Sequence, residues 1–343
     1  MTDPEPIYAH RLTSLEICAG AGGQALGLEA AGFELEAAVE FDAAACATLR
    51  LNRPAWDVRE ADVRTVDGRP FEGIDLLAGG VPCPPFSVAG KQLGQDDERD
   101  LFPEVLRLVE EAEPRAVMVE NVRGLLSAKF QPYRQSILDE LDRLGYRGEW
   151  KLLHANDFGV PQLRPRSILV AMRPTDWLNF RWPEPEVHTP TVGEALRPLM
   201  AAQGWKGATR WARIANGIAP TVVGGSKKHG GPDLGPTRAR EQWARLGVDG
   251  RSVVAEAPGR DFPVDGMPRL TVEMVARLQG FPGDWAFAGR RTAQYRQVGN
   301  AFPPPVAAAV AGEIARVLLG GASTSPSDRG AQMRLLERRA SIA

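Results

Sequence analysis

The chain has 343 residues, 43% hydrophobic and 24% charged, with a formal net charge of −2, a balance that excludes a disordered or fibrous polypeptide. No run of about 18 uninterrupted apolar residues occurs, so neither a spanning helix nor a membrane partner is expected. Three cysteines without CxxC spacing (Cys18, Cys46, Cys83) argue against a disulfide framework, a structural zinc or any other metal, and an acidic, Pro-rich opening unlike a secretory signal predicts a cytoplasmic protein.

In chain order, residues 15–18 read as a strand and 23–31 as the helix after it, then 34–40 as a strand and 42–52 as a helix. Further strands are predicted at 74–78, 116–119 and 167–172, with helices at 101–113 and 132–144 between them. Leu101, Val105, Leu108 and Val109 form one apolar stripe at the 3.6-residue period. Alternating β and α segments predict a doubly wound α/β fold, a parallel sheet with helices on both faces. From about Pro174 the texture turns to Pro, Gly, Trp and Arg, and 224–232 reads as a loop. Helical periodicity returns at 271–279 and 305–319, and the last residues read as a frayed tail. Residues 201–260 hold ten Lys/Arg against four acids, so this window is +6 while the rest of the chain is −8. Such a basic module suits an anionic partner, and equally an ordinary solvated surface.

Three segments carry chemistry. Gly20-Ala21-Gly22-Gly23 follows the first strand, where glycines allow a tight turn and a helix N-terminus offers free N–H groups. Glu40 ends the second predicted strand, the place of an acid that accepts from ribose hydroxyls, and the string also fits the G-x-G-x-x-A dinucleotide fingerprint. Cys83 lies in Pro82-Cys83-Pro84-Pro85, just beyond the strand 74–78, and Glu120-Asn121-Val122 ends the strand 116–119. In open α/β sheets, strand ends of this kind are where ligands sit, so a thiol nucleophile and an acid are displayed side by side.

These strings, in this order, resemble the C5-cytosine-specific DNA methyltransferase family. Gln162-Leu163-Arg164-Pro165-Arg166 is similar to its Q-x-R-x-R element, 269–282 to its hinge motif, and 294–301 to its final block. Six ordered blocks cover roughly residues 13–175 and 268–320. The resemblance implies a Rossmann-like catalytic domain over 1–190 plus 293–321, a loop-rich target-recognition domain over 191–267, a hinge motif over 268–292 and a flexible tail over 322–343. It implies S-adenosylmethionine rather than a nicotinamide cofactor, held by Cys18, Gly20, Ala21, Gly22, Gly23, Glu40, Phe41, Asp62, Val63, Gly80, Pro82, Asn300 and Ala301. Cys83 would add to C6 of a cytosine flipped out of duplex DNA, and Glu120 would hydrogen-bond N3 and the exocyclic amine. Arg164 and Arg166 would hold the cytosine O2 and the acid. DNA contacts would come from Ser87, Lys91 and Arg99 on a loop after Cys83, and from Lys227, Lys228, His229, Arg238 and Arg240.

The implied setting is a restriction-modification system or an orphan DNA modifier; the implied partners are double-stranded DNA and, in the first setting and without stable association, a cognate restriction endonuclease; the implied state is a monomer. A tRNA cytosine-5 methyltransferase and a catalytically silent DNA-binding regulator are the alternatives. The sequence departs from the family's pattern at Cys18, where Phe is usual, at Pro84, where Gln is frequent, and at Phe302, where a smaller aliphatic is usual. Trp205, Trp211 and Trp243 are expected in the core of the smaller domain rather than as stacking platforms.

Overall fold

The structure, a computed structural model, describes residues 11–82, 100–186, 188–225 and 231–320. Its strands are β1 Leu12–Ile17, β2 Phe33–Glu40, β3 Val58–Glu60, β4 Leu76–Gly80, β5 Ala116–Val122, β6 Arg147–His154 and β7 Pro165–Met172. Its helices are α1 Gly23–Ala30, α2 Ala43–Asn52, α3 Phe102–Ala112, α4 Gln131–Arg143, α5 Pro174–Trp177, α6 Val192–Ala201, α7 Ala208–Ile214, α8 Thr237–Arg245, α9 Val272–Leu278, α10 Arg291–Asn300 and α11 Pro304–Leu318.

The strands form one sheet in the order β3-β2-β1-β4-β5-β7-β6. The pairs β1–β2, β2–β3, β1–β4 and β4–β5 are parallel, as expected for a doubly wound fold. The expectation of a wholly parallel sheet is corrected at one edge, because β7 runs antiparallel to both β5 and β6. No crossover helix separates β6 from β7: one 3-10 turn, Ala155–Phe158, lies between them, so the chain returns as a hairpin-like pair.

Central strands apolar on both faces explain the two layers of the core. Leu76 and Ala78 of β4, with Met118 of β5, pack under α11 through Val306, Val310 and Ile314. Leu77 of β4, with Val117 and Val119 of β5, meets Val105, Leu108 and Val109 of α3 on the other face. That second contact is the stripe read from the 3.6-residue period. Helix α1 lies so close to α11 that a Cβ at Gly27 would sit 2.4 Å from Ala307 Cβ and 2.6 Å from the Ala308 nitrogen.

A third cluster joins residues 191–267 to the remainder. Trp205, Trp211 and Trp243 are buried in it, together with Met274 and Val275 of α9, Tyr295 and Val298 of α10, and Ala38 and Leu49 of the first half of the chain. The tryptophans are therefore core, as expected. Residues on both sides of positions 191 and 268 share this cluster.

Candidate active site

The first turn of the site is built by backbone conformation. Gly20 and Gly22 take positive φ angles of 56° and 85°, a region glycine enters without steric cost. Cys18 also has a positive φ, 51°, an uncommon state for a residue with a Cβ. Gly22 then occupies the N-cap of α1, with no side chain to cap the helix.

Glu40, at the end of β2, staples this turn to the next. One carboxylate oxygen accepts from the Gly20 N–H at 2.7 Å, and the other accepts from the N–H groups of Phe41 at 2.9 Å and Asp42 at 2.7 Å. Asp42 caps α2 in turn, accepting from the Ala44 and Ala45 N–H groups. Asp62 caps the short 3-10 turn Val63–Thr65 and pairs with Arg64 at 3.0 Å.

These strand ends and turns enclose a cleft of about 490 Å³ at the carboxyl edge of the sheet. All thirteen residues expected at a cofactor except Gly22 line it: Cys18, Gly20, Ala21, Gly23, Glu40, Phe41, Asp62, Val63, Gly80, Pro82, Asn300 and Ala301. Gly22 stands just behind, where a Cβ would press on Leu49 and Trp285 at 2.8 and 2.9 Å. Phe41 presents a ring that is 71% exposed. Asn300 and Ala301 come from the end of α10, and the Asn300 amide donates to the Gly225 carbonyl at 3.2 Å.

The cleft also holds residues the sequence reading did not select. Glu16 of β1 is fully buried, and neither carboxylate oxygen has a hydrogen-bond partner. Burial, then the charge of Glu40, pushes its pKa well above the usual carboxylate range. Gln24 in the first turn of α1 is 3% exposed, and neither of its amide atoms has a partner. Arg296 and Asp42, 3.5 Å apart, line the rim. An acid inside an otherwise apolar strand was the available signal for Glu16; Gln24 had none, because a polar residue early in a helix is ordinarily solvated. Burial pushes the Cys18 thiol up to about 12, with Glu40 and Asp62 adding to the effect, so it stays protonated at neutral pH.

Glu120 sits at the far end of the same cleft. Register places it opposite Gly80, and the Asn121 amide donates to the Val81 carbonyl at 3.1 Å, tying the end of β4 to the end of β5. Arg166 of β7 closes on the acid, with Nε 2.6 Å from a Glu120 oxygen, both side chains being largely buried. Of the two arginines expected to hold the cytosine O2 and the acid, Arg166 is the one that meets the acid, and Arg164 faces backbone carbonyls. Its side chain is buried, one terminal nitrogen donating to the Val222 carbonyl at 2.7 Å and the other to those of Gly299 and Ala301 at 2.9 and 2.8 Å. It binds the stretch around Val222 to the end of α10.

Cys83, Ser87, Lys91, Arg99, Lys227, Lys228 and His229 lie outside the described residues; Pro82 immediately precedes the first of them and lines the cleft. Arg238 and Arg240 are exposed on α8. Among the described residues no group of acids, histidines or cysteines is arranged to hold a metal, and no helix is long and apolar enough to cross a membrane.

A Rossmann-like sheet with one reversed strand thus carries, at one cleft, a glycine turn answered by an acid at the next strand end and a buried Arg–Glu pair beside it, the class of site that suits a nucleoside-containing ligand. Residues 12–316 match the model of the C-5 cytosine-specific DNA methylase family. The chain is 59% identical to the type II methyltransferase M.NaeI of Lentzea aerocolonigenes over 314 residues, 90% of this chain and 75% of the relative. It is 55% identical to the type II methyltransferase M.NgoMIV of Neisseria gonorrhoeae over 313 residues, 90% of this chain and 98% of that one. A solved E. coli prophage protein described as a DNA modification methyltransferase has the same fold, with a TM-score of 0.64 at 23% identity over 90% of this chain and 99% of its own. The chain belongs to the C-5 cytosine-specific DNA methylase family and is a DNA (cytosine-5) methyltransferase.

Proposed function

We propose that the cleft holds S-adenosylmethionine and that methylation proceeds through a covalent adduct between Cys83 and C6 of a cytosine flipped from duplex DNA. The observation that carries this reading is the shared cleft: the Gly20–Glu40 turn at one end, the Glu120–Arg166 pair at the other. The buried, unpartnered carboxylate of Glu16 fits the cofactor's ammonium group, which would satisfy it. Glu40 retains lone pairs for ribose hydroxyls, Phe41 would lie against the adenine, and Asp62 would accept from the adenine amine.

Bound there, the cofactor supplies an electrophilic methyl group on a sulfonium. Cytosine C5 is a poor nucleophile in an intact aromatic ring, so the enzyme must first disturb the ring. The Cys83 thiolate forms a bond to C6, and the displaced electron pair makes C5 enamine-like. Glu120 accepts from the exocyclic amine and, in its acid form, donates to N3 where charge develops, and Arg166 holds that carboxyl group in register. Once C5 carries the methyl group, a base takes the C5 proton, its electrons restore the ring and the thiolate leaves. Arg164 acts as a positioning residue, framing the site from behind.

Flipping costs a few kcal/mol, and contacts to the duplex offset it. Ser87, Lys91 and Arg99, with Lys227, Lys228, His229, Arg238 and Arg240, supply those contacts. The type II names of the relatives support a restriction-modification setting with a cognate endonuclease that is not a stable partner. A monomer working in the cytoplasm on one strand at a time suffices for this reaction.

The test is expression in a host whose DNA lacks 5-methylcytosine, with bisulfite sequencing beside a Cys83→Ser control. Methylation at one short sequence, absent in the control, is expected. Methylation that persists in the control would overturn the adduct.

A further inference from the structure

Gln24 has no task in the scheme above. Its side chain is 3% exposed, lines the cleft, and leaves both amide atoms without a partner. Burying an amide that makes no hydrogen bond is unfavourable, so such a group in a folded protein calls for an explanation. Its setting supplies one. Gln24 lies in the first turn of α1, ahead of the first helical bond, from the Leu26 N–H to the Gly22 carbonyl at 2.9 Å. Gly22 brings no side chain to cap that turn, and the turn contains no acid. A helix N-terminus in this condition carries partial positive charge and unspent N–H groups. The Gln24 amide adds a further donor on the same side of the cleft. Glu16 is likewise unpartnered in this cleft and is the opposite kind of group, an acceptor when ionised. One orphan suits an anion and the other a cation, the pattern an α-amino acid's zwitterion would satisfy.

We propose that Gln24, with the N-terminal turn of α1, is the recognition element for the carboxylate of the cofactor's amino-acid end. The inference rests on the cofactor reading and adds to it a residue that selects by charge. Gln24 is a binding residue: the carboxylate it would hold is several bonds from the reacting methyl group, so it takes no part in proton or methyl movement.

The experiment is calorimetric titration of the full chain, without DNA, using S-adenosylmethionine and its decarboxylated analogue, which keeps the sulfonium and the ammonium and lacks only the carboxylate. A hydrogen bond to a charged group contributes about 1.5–3 kcal/mol, or roughly ten- to a hundredfold in affinity. Wild-type protein is therefore expected to prefer the carboxylated ligand by at least about tenfold. Gln24→Leu is expected to lose most of that preference while binding the decarboxylated analogue as tightly as wild type does. Because an unsatisfied buried amide is replaced by apolar surface, ligand-free Gln24→Leu should melt no lower than wild type. A structural glutamine would give the reverse. Gln24→Met, unbranched and close in shape, repeats the measurement should Leu disturb packing.

A variant that keeps the wild-type preference, or loses affinity for both ligands alike, overturns the assignment. Wild-type protein that binds neither ligand removes the cofactor reading itself, a result distinguishable from failure of the Gln24 assignment alone.

Discussion

Arg164 and Arg166 stand two residues apart and meet unlike neighbours. Arg166 faces the Glu120 carboxylate, while Arg164 spends its terminal nitrogens on three backbone carbonyls. Arg166→Met leaves a buried carboxylate without its cation, a change that costs about 3–5 kcal/mol in comparable pairs. Urea unfolding should show that loss, and single-turnover methylation should fall by a larger factor than cofactor affinity does. Arg164→Lys should leave cofactor chemistry in place but lower stability, because one ammonium cannot reproduce the planar fork and each abandoned carbonyl costs about 1–3 kcal/mol. Both arginines were legible as a pair in Q-x-R-x-R, but their division of labour was not. Spacing shows that alternate residues of a strand share a face; it does not show which carbonyls a folded neighbour will bring.

Tight contacts between elements set the next level of constraint. The α1–α11 interface closes on Gly27, and a methyl group there meets backbone as well as side chain. Gly27→Ala should destabilise by about 1–3 kcal/mol, the usual cost of overpacking, although alanine favours helices intrinsically. Thermal melts of the pair would decide which effect wins. A second clasp joins the loop after α8 to the segment before α9. Asp249 accepts from Arg251 and Arg269, and these hydrogen bonds, that of Arg251 foremost, hold its pKa well below the ordinary carboxylate range. A carboxyl with a lowered native pKa stabilises fully above its unfolded value, about 3.9, and loses that contribution as pH falls towards the native one. Asp249→Asn should therefore melt below wild type at pH 7, and the gap should narrow as pH falls below about 4.

Elements of the first 175 residues with strong periodicity were read to within a few residues, as with 101–113 for the observed α3. Edge strands escaped: β3 has only three residues, and β6, Arg-Gly-Glu-Trp-Lys-Leu-Leu-His, is half-exposed and too polar to stand out. Helix α8 buries only Trp243, so its sequence carries almost no apolar stripe. Helix α6 escaped as well, although it carries a capping box, Thr191 and Glu194, a local signal that the reading by periodicity did not use.

At the scale of the molecule, the third hydrophobic cluster ties both halves into one body. Trp211 and Trp243 pack in the same network as Leu49 of α2, and the Trp285 indole donates to the Ala21 carbonyl at 3.1 Å in the cofactor turn. Residues 191–267 should not melt separately. Tryptophan fluorescence and far-ultraviolet circular dichroism are expected to change together on heating; an earlier fluorescence transition would show an independently folding unit. The stretch Ala219–Gly225 sharpens the point. Its backbone pairs with Gln162, holds Arg164 through Val222, and lies so close to α10 that a Cβ on Gly299 would come within 2.4 Å of Gly224. Chain order puts these residues inside the basic stretch 201–260, but contact assigns them to the chassis. Exchanging whole cassettes between relatives to retarget the enzyme would tear out this mounting. A splice that begins after Gly225 would keep it, and inheritance by recombination faces the same boundary.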